Sequence, residues 1–150
     1  RAIDLIAPIG RGQRCLLVAP PKAGKTRILQ AIAASVAHNH PDVAIYALLV
    51  DERPEEVTDF KRNTPAEVIA ASSDMTIGEH IETAERAMEL VAQQVIEGKD
   101  VLLLLDSITR LARAYNAAGE FIGLLKPDRV SGLWQPDKVF PRASRQEMSE

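Results

Sequence analysis

At 150 residues, with 46% hydrophobic and 26% charged, the chain has the size and balance of one globular domain with one core. A net charge of −3, 4% aromatics and a single tryptophan argue against a basic, base-stacking surface, so composition alone does not point to nucleic acid. No apolar stretch approaches the roughly 20 residues that span a bilayer, so no membrane partner is expected and a cytoplasmic location is the default.

In chain order, the first residue is Arg1 and the apolar pattern begins at once, which suggests a segment of a longer polypeptide. Cys15 to Ala19 (CLLVA) is an unbroken apolar run closed by Pro20-Pro21, the pattern of a central parallel strand covered on both faces. Cys15 within it reads as a small buried hydrophobe with no chemistry of its own. Ile28, Leu29, Ile32, Ala33 and Val36 then recur at helical spacing from Thr26 to about His38. Ala44 to Val50 is a second buried strand, followed by the acidic cluster Asp51 to Glu56, in which Pro54 opens a short helix. Val68 to Ala71 is a short third strand. Gly78 to Glu97 is a long amphipathic helix stopped by Gly98. Val101 to Leu105 (VLLLL) is the clearest strand; Asp106 ends it and Ser107 caps the helix that follows. Strands alternating with helices predict an α/β fold with a mainly parallel sheet flanked by helices. Past Asn116, six glycines and prolines break every long element.

Three strand ends carry polar groups with distinct jobs. Pro20 to Thr26 (PPKAGKT) lies between an expected strand and an expected helix, where backbone N–H groups and the helix dipole cradle phosphate. In such a loop Lys25 bridges the β- and γ-phosphates of ATP, the Thr26 hydroxyl ligates Mg²⁺, and Gly24 admits close backbone approach. The first glycine of the general pattern is Ala19 here. Asp106, after the VLLLL strand, supplies a carboxylate beside the Mg²⁺. Asp51-Glu52, after the second strand, supplies one that orients or deprotonates an attacking water. Each signal taken singly has a bland alternative: a helix start, a strand ending in Asp, a solvated acidic first turn. Together they lie at the carboxyl ends of strands, where open α/β sheets bind ligands.

The runs PIGRGQR (Pro8 to Arg14), APPKAGKT (Ala19 to Thr26), LLVDERPEEVTDF (Leu48 to Phe60) and LLLDSITRLARAYN (Leu103 to Asn116) resemble, in order and spacing, segments of the Rho family of transcription terminators. Ala19 in place of the loop glycine is part of that resemblance. It implies a RecA-like P-loop NTPase core over 1–116, a homo-hexameric ring, and RNA-driven ATP hydrolysis that releases transcripts, bringing RNA and, indirectly, the RNA polymerase complex as partners. It implies cofactors ATP and Mg²⁺. Lys22, Ala23, Gly24, Lys25, Thr26 and Arg27 then line or border the nucleotide, Thr26 and Asp106 support the metal, and Glu52, Lys25 and Arg53 serve catalysis. Arg53 matches a nucleotide-contacting arginine, and Gly10, Arg11, Gly12, Gln13, Arg14 and Cys15 match a segment bordering the nucleotide. Arg110 and Arg113 face a subunit boundary or the γ-phosphate side, or else form a solvated basic face.

Past Asn116 the resemblance fails: the family's pore loops, an intervening central strand and its arginine finger are not recognisable over 117–150, so the core is incomplete relative to the family. The absent strand belongs between the one ending at Val18 and the one ending at Leu105, which predicts a gap in the sheet and a displacement of Asp106 from Lys25. Trp134 and Phe140 carry no site. A non-catalytic nucleotide-binding or assembly fragment is the alternative. A rotary or secretion ATPase shares the general core but not the DERPEEV and SITRLARAYN runs.

Overall fold

A computed structural model describes residues 2–20 and 23–118 and the backbone of 126–127 and 134–135. Its centre is a parallel three-stranded sheet in the order β2-β1-β3, from β1 (Ala44–Glu52), β2 (Glu67–Ser72) and β3 (Val101–Asp106). Helices α2 (Lys25–Asn39) and α3 (Pro54–Asn63) cover one face; α4 (Ile77–Ile96) and α5 (Ile108–Ala117) cover the other. The period-2 alternation of strand side chains explains both layers. Ile45, Ala47 and Leu49 of β1 and Leu102 and Leu104 of β3 pack with Ala33 and Phe60, whereas Leu48, Val50, Leu103 and Leu105 pack with Ala84, Ala87 and Leu111. Because both faces are roofed by helices, the strands are continuous apolar runs.

Local signals place the helix ends. Pro54 occupies the first turn of α3, where its missing N–H costs nothing. At the start of α4 a capping box joins Thr76 and Glu79: the Glu79 N–H donates to the Thr76 hydroxyl and the Thr76 N–H donates to the Glu79 carboxylate. The Thr76 hydroxyl, which donates to the same carboxylate at 2.7 Å, and after it the Thr76 N–H hold the Glu79 carboxyl below its ordinary pKa. The end of α4 is closed by Gly98 at φ +83°; the Gly98 N–H donates to the Val95 carbonyl and the Lys99 N–H to the Gln94 carbonyl, the paired bonds of a Schellman stop. The buried imidazole of His80 bonds the Ser72 carbonyl at 3.0 Å, fixing α4 to the end of β2.

Four elements differ from the sequence expectation. The largest correction is Cys15 to Ala19, which forms no strand: among the described residues it makes no backbone bond to the sheet. Leu16 is 69% and Val18 84% exposed, Leu17 and Ala19 are half-buried, and Cys15 is exposed rather than buried. A strand pairs only where a neighbour meets it, and among the described residues β3 is bonded to β1 alone, with Cys15 to Ala19 not joined to its free side. Second, β1 runs two residues past Val50, because Asp51 adopts φ +58° and the pairing with β2 shifts register between Val50 and Glu52. Third, a five-residue helix α1 (Ala2–Ile6) precedes everything else; it is too short to leave a periodic signature. Fourth, the segment after Asn116 contains an antiparallel pairing of β4 (Lys126–Pro127) with β5 (Trp134–Gln135). The Trp134 side chain and Phe140 lie outside the described residues.

Candidate nucleotide site

All three sheet strands run in one direction, so their carboxyl ends share an edge, and α3, α4 and α5 begin there. Helix α2 brings its own amino terminus to that edge. Gly24 is its N-cap at φ +85°, a conformation glycine reaches without the steric cost a Cβ would add. With no side chain at the cap, no side-chain hydrogen bond closes the first turn, which leaves N–H donors and the positive end of the dipole facing outward. Lys25 is the first residue of the helix and Thr26 the second.

The Thr26 hydroxyl donates to Asp106 Oδ2 at 3.4 Å across a separation of 80 residues. A hydroxyl and a carboxylate oxygen so close, beside an uncapped helix start, form the hard-oxygen donor set that Mg²⁺ takes when phosphates complete its shell. Asp106 thus lies within reach of Thr26, the neighbour of Lys25, even though the segment leading into the loop forms no strand among the described residues. An open cleft of about 740 Å³ adjoins this point, lined by Thr26, Arg27 and Gln30 of α2 and by Glu55, Glu56, Asp59 and Asn63 of α3.

Glu52 sits at the end of β1 and is 8% exposed. The left-handed backbone at Asp51 breaks the strand's alternation just before it. Such conformations are uncommon outside glycine, least so for Asp and Asn, and they gather at functional sites. The Glu52 pKa is pushed from its ordinary 4.5 up to about 8. Burial is the main cause; a hydrogen bond with the Glu56 carboxyl adds to it, and the negative charges of Asp106 and Glu56 push the same way. Arg110 opposes them, with Nη1 3.2 Å from Glu52 Oε2, and is outweighed. The same nitrogen donates to the Asp51 carbonyl.

The structure thus gathers Thr26, Asp106, Glu52 and Arg110 at one edge, with Lys25 on the turn beside Thr26. It separates others. Arg11 pairs with Asp42 at 3.6 Å and with Asp100, residues that precede β1 and β3, so it lies at the amino-terminal edge, the length of the sheet away. Gly10, Gly12 and Gln13 are spent in a turn of their own: the Gly10 N–H donates to Gln13 Oε1 at 2.8 Å and the Gln13 N–H to the Gly10 carbonyl. Within 10–15, then, Arg11 and its turn do not reach the phosphate edge, and Arg14 and Cys15 follow as exposed chain. Arg53, the exposed N-cap of α3, and Arg27, on the cleft wall with Thr26, stay at the carboxyl edge. Arg113 is exposed while Arg110 turns inward, so the two do not act as one face. Lys22 lies outside the described residues.

Two partners were not legible in the sequence reading. Glu56 bears on Glu52 from the first turn of α3, just past Pro54. Arg110 reaches Glu52 only because β1 and β3 are adjacent and in parallel register. The i, i+4 spacing of Glu52 and Glu56 was the one available signal.

Comparison with known proteins places this geometry in context. Residues 1–128 match the ATP synthase alpha/beta family, nucleotide-binding domain. The transcription termination factor Rho of Haemophilus influenzae is 50% identical over 145 residues, 95% of this chain and 34% of that protein. Rho of Escherichia coli K12 is likewise 50% identical over 145 residues, covering 35% of its length. This chain therefore spans about a third of those curated relatives. Among solved structures, an ATPase from the type III secretion system of pathogenic bacteria superposes with a TM-score of 0.70 at 30% identity, over 87% of this chain and 38% of that one. An ATP synthase subunit from Nanoarcheaum equitans superposes with a TM-score of 0.65 at 23% identity, over 77% of this chain and 31% of its own, a likeness of fold alone.

Proposed function

The chain belongs to the ATP synthase alpha/beta family, nucleotide-binding domain, and on that footing we propose that it is the ATP-binding and hydrolysing motor module of a Rho-like, RNA-dependent ATPase acting in transcription termination. The approach of Thr26 to Asp106 carries the reading, because it joins the phosphate loop to the acidic strand end at one sheet edge. The Rho-like assignment is supported by 50% identity to Rho against 30% to the secretion ATPase. RNA, a homo-hexameric ring and an RNA polymerase complex enter as what full-length relatives of that kind would engage.

In this reading MgATP supplies the phosphoryl group and the Lewis acid. Helix α2 would present its first N–H groups and Lys25 to the phosphates, with Arg27 beside them, and the family resemblance adds Lys22 to that set. Thr26 Oγ1 and Asp106 Oδ2 would hold the metal through oxygen donors, and the metal would supply Lewis-acid stabilisation of phosphate charge. Glu52 orients the attacking water and accepts its proton at a carboxylate oxygen, which requires the unprotonated form. Arg53 borders the nucleotide from the start of α3.

A second reading, nucleotide binding without hydrolysis, is favoured by one observation: the segment Cys15 to Ala19 that leads into the loop has no strand partner among the described residues. Catalysis by fixed dipoles tolerates little displacement of that kind. Phosphate release from MgATP separates the two. Steady turnover abolished by Lys25→Ala supports the motor; tight binding without release supports the second reading; no binding sinks both.

A further inference from the structure

Arg110 is the only cation paired with an acid at the carboxyl edge of the sheet among the described residues; the other ion pairs, Arg11 with Asp42 and Asp100 and Lys99 with Glu97, lie elsewhere. It stands in the first turn of α5, one turn after Asp106, with a side chain 35% exposed against 11% for Glu52. Its Nη1 makes two contacts at once, to Glu52 Oε2 at 3.2 Å and to the Asp51 carbonyl. The second contact matters as much as the first. Asp51 is the left-handed residue at the bulge that turns the end of β1, and a left-handed non-glycine residue persists only where its surroundings hold it. One guanidinium thus grips both the backbone that aims Glu52 and the carboxylate itself. Ser107 caps α5 through the Arg110 N–H, so the helix that carries the grip is anchored next to Asp106.

We propose that Arg110 is a positioning residue for Glu52, locking the β1 bulge and holding the carboxylate at the sheet edge. The proposal rests on the reading of Glu52 as the group that serves the attacking water, and it concerns a contact within one chain rather than across a subunit boundary. The groups facing Glu52 are Glu56 from α3, Asp106 from β3 and Arg110 from α5. Arg110 is the sole cation of the three, so its removal leaves the carboxylate among like charges.

The test follows the Glu52 carboxyl carbon by NMR as a function of pH in the nucleotide-free chain, with Glu52→Gln providing the assignment. Arg110→Gln is expected to raise the proton affinity of Glu52 about tenfold or more, the usual effect of losing an opposite charge at this range. Arg110→Lys, which keeps the charge and guards against loss of fold, is expected to stay within a few-fold of the wild type. In parallel, MgATP affinity and single-turnover phosphate release are measured. A positioning role predicts affinity within a few-fold of the wild type while release falls at least about tenfold. Identical Glu52 titrations in wild type and Arg110→Gln would overturn the proposal, as would a loss confined to nucleotide affinity, which would make Arg110 a phosphate contact. If the titration shifts as expected but Glu52→Gln releases phosphate at the wild-type rate, the positioning stands and the assignment of Glu52 to the water falls.

Discussion

Thr26, in the first turn of α2, donates its hydroxyl to Asp106, the last residue of β3, at 3.4 Å. The contact links the two ends of the proposed magnesium site without an intervening strand. α2 holds its place by packing Leu29, Ile32, Ala33 and Val36 against Leu102 and Leu104, so burial of the helix substitutes for strand pairing in setting the loop's position.

That arrangement predicts metal-dependent nucleotide binding. Thr26→Ala and Asp106→Asn each remove a charge-assisted oxygen contact worth about 1.5–3 kcal/mol, a roughly 10- to 100-fold loss of MgATP affinity. Binding measured with EDTA in place of Mg²⁺ is expected to change far less in either variant. Fluorescence titration with an ATP analogue checks both, and equal losses with and without metal would remove Thr26 and Asp106 from the metal site.

The raised pKa of Glu52 makes two pH predictions of opposite sense. The folded chain binds the Glu52 proton more tightly than the unfolded chain, since about 8 lies above 4.5. The corresponding stabilisation is complete below about pH 4.5 and is lost as pH rises through 8, amounting to a few kcal/mol at most. Glu52→Gln, which mimics the protonated acid, should flatten this dependence and unfold at higher urea than the wild type at pH 8. A base must be unprotonated, so kcat/KM for ATP should climb with pH and level off above about 8. Urea melts from pH 5 to 9 and a pH–rate profile test the pair.

Turnover of this chain is expected to be indifferent to single-stranded RNA, because neither pore loop of the family it resembles is recognisable in its sequence. Phosphate release with and without RNA decides the matter, and an RNA-dependent rise would show that the residues after Asn116 supply what the sequence pattern does not.

The stop of α4 offers a prediction confined to the fold. Gly98 sits at φ +83° with nothing within 4 Å of where a Cβ would stand, so Gly98→Ala meets backbone strain alone. About 1–2 kcal/mol of stability should be lost. Phe60→Ala, at a side chain 1% exposed in the α3 face of the core, should cost about 3–5 kcal/mol. Thermal melts that rank the two the other way would contradict the packing described here.

The sequence by itself determined what is local. Periodicity and caps named α2, α3, α4, α5 and all three strands of the parallel sheet to within a few residues, while the phosphate-loop pattern at Lys25 and Thr26 and the strand-then-acid patterns at Glu52 and Asp106 marked groups expected near one another. Those features follow from side-chain alternation and helix-end chemistry, which each short window of chain carries within itself. Tertiary structure alone decided whether an apolar run finds a partner. Cys15 to Ala19 has the composition of a central strand and is a largely exposed segment with no strand partner among the described residues, because strand formation depends on a neighbour elsewhere in the chain. Only the fold, likewise, turned Arg110 toward Glu52, carried Arg11 to the far edge beside Asp42 and Asp100, and raised the Glu52 pKa. Charge, burial and distance are properties of assembled elements, set by which strands lie side by side.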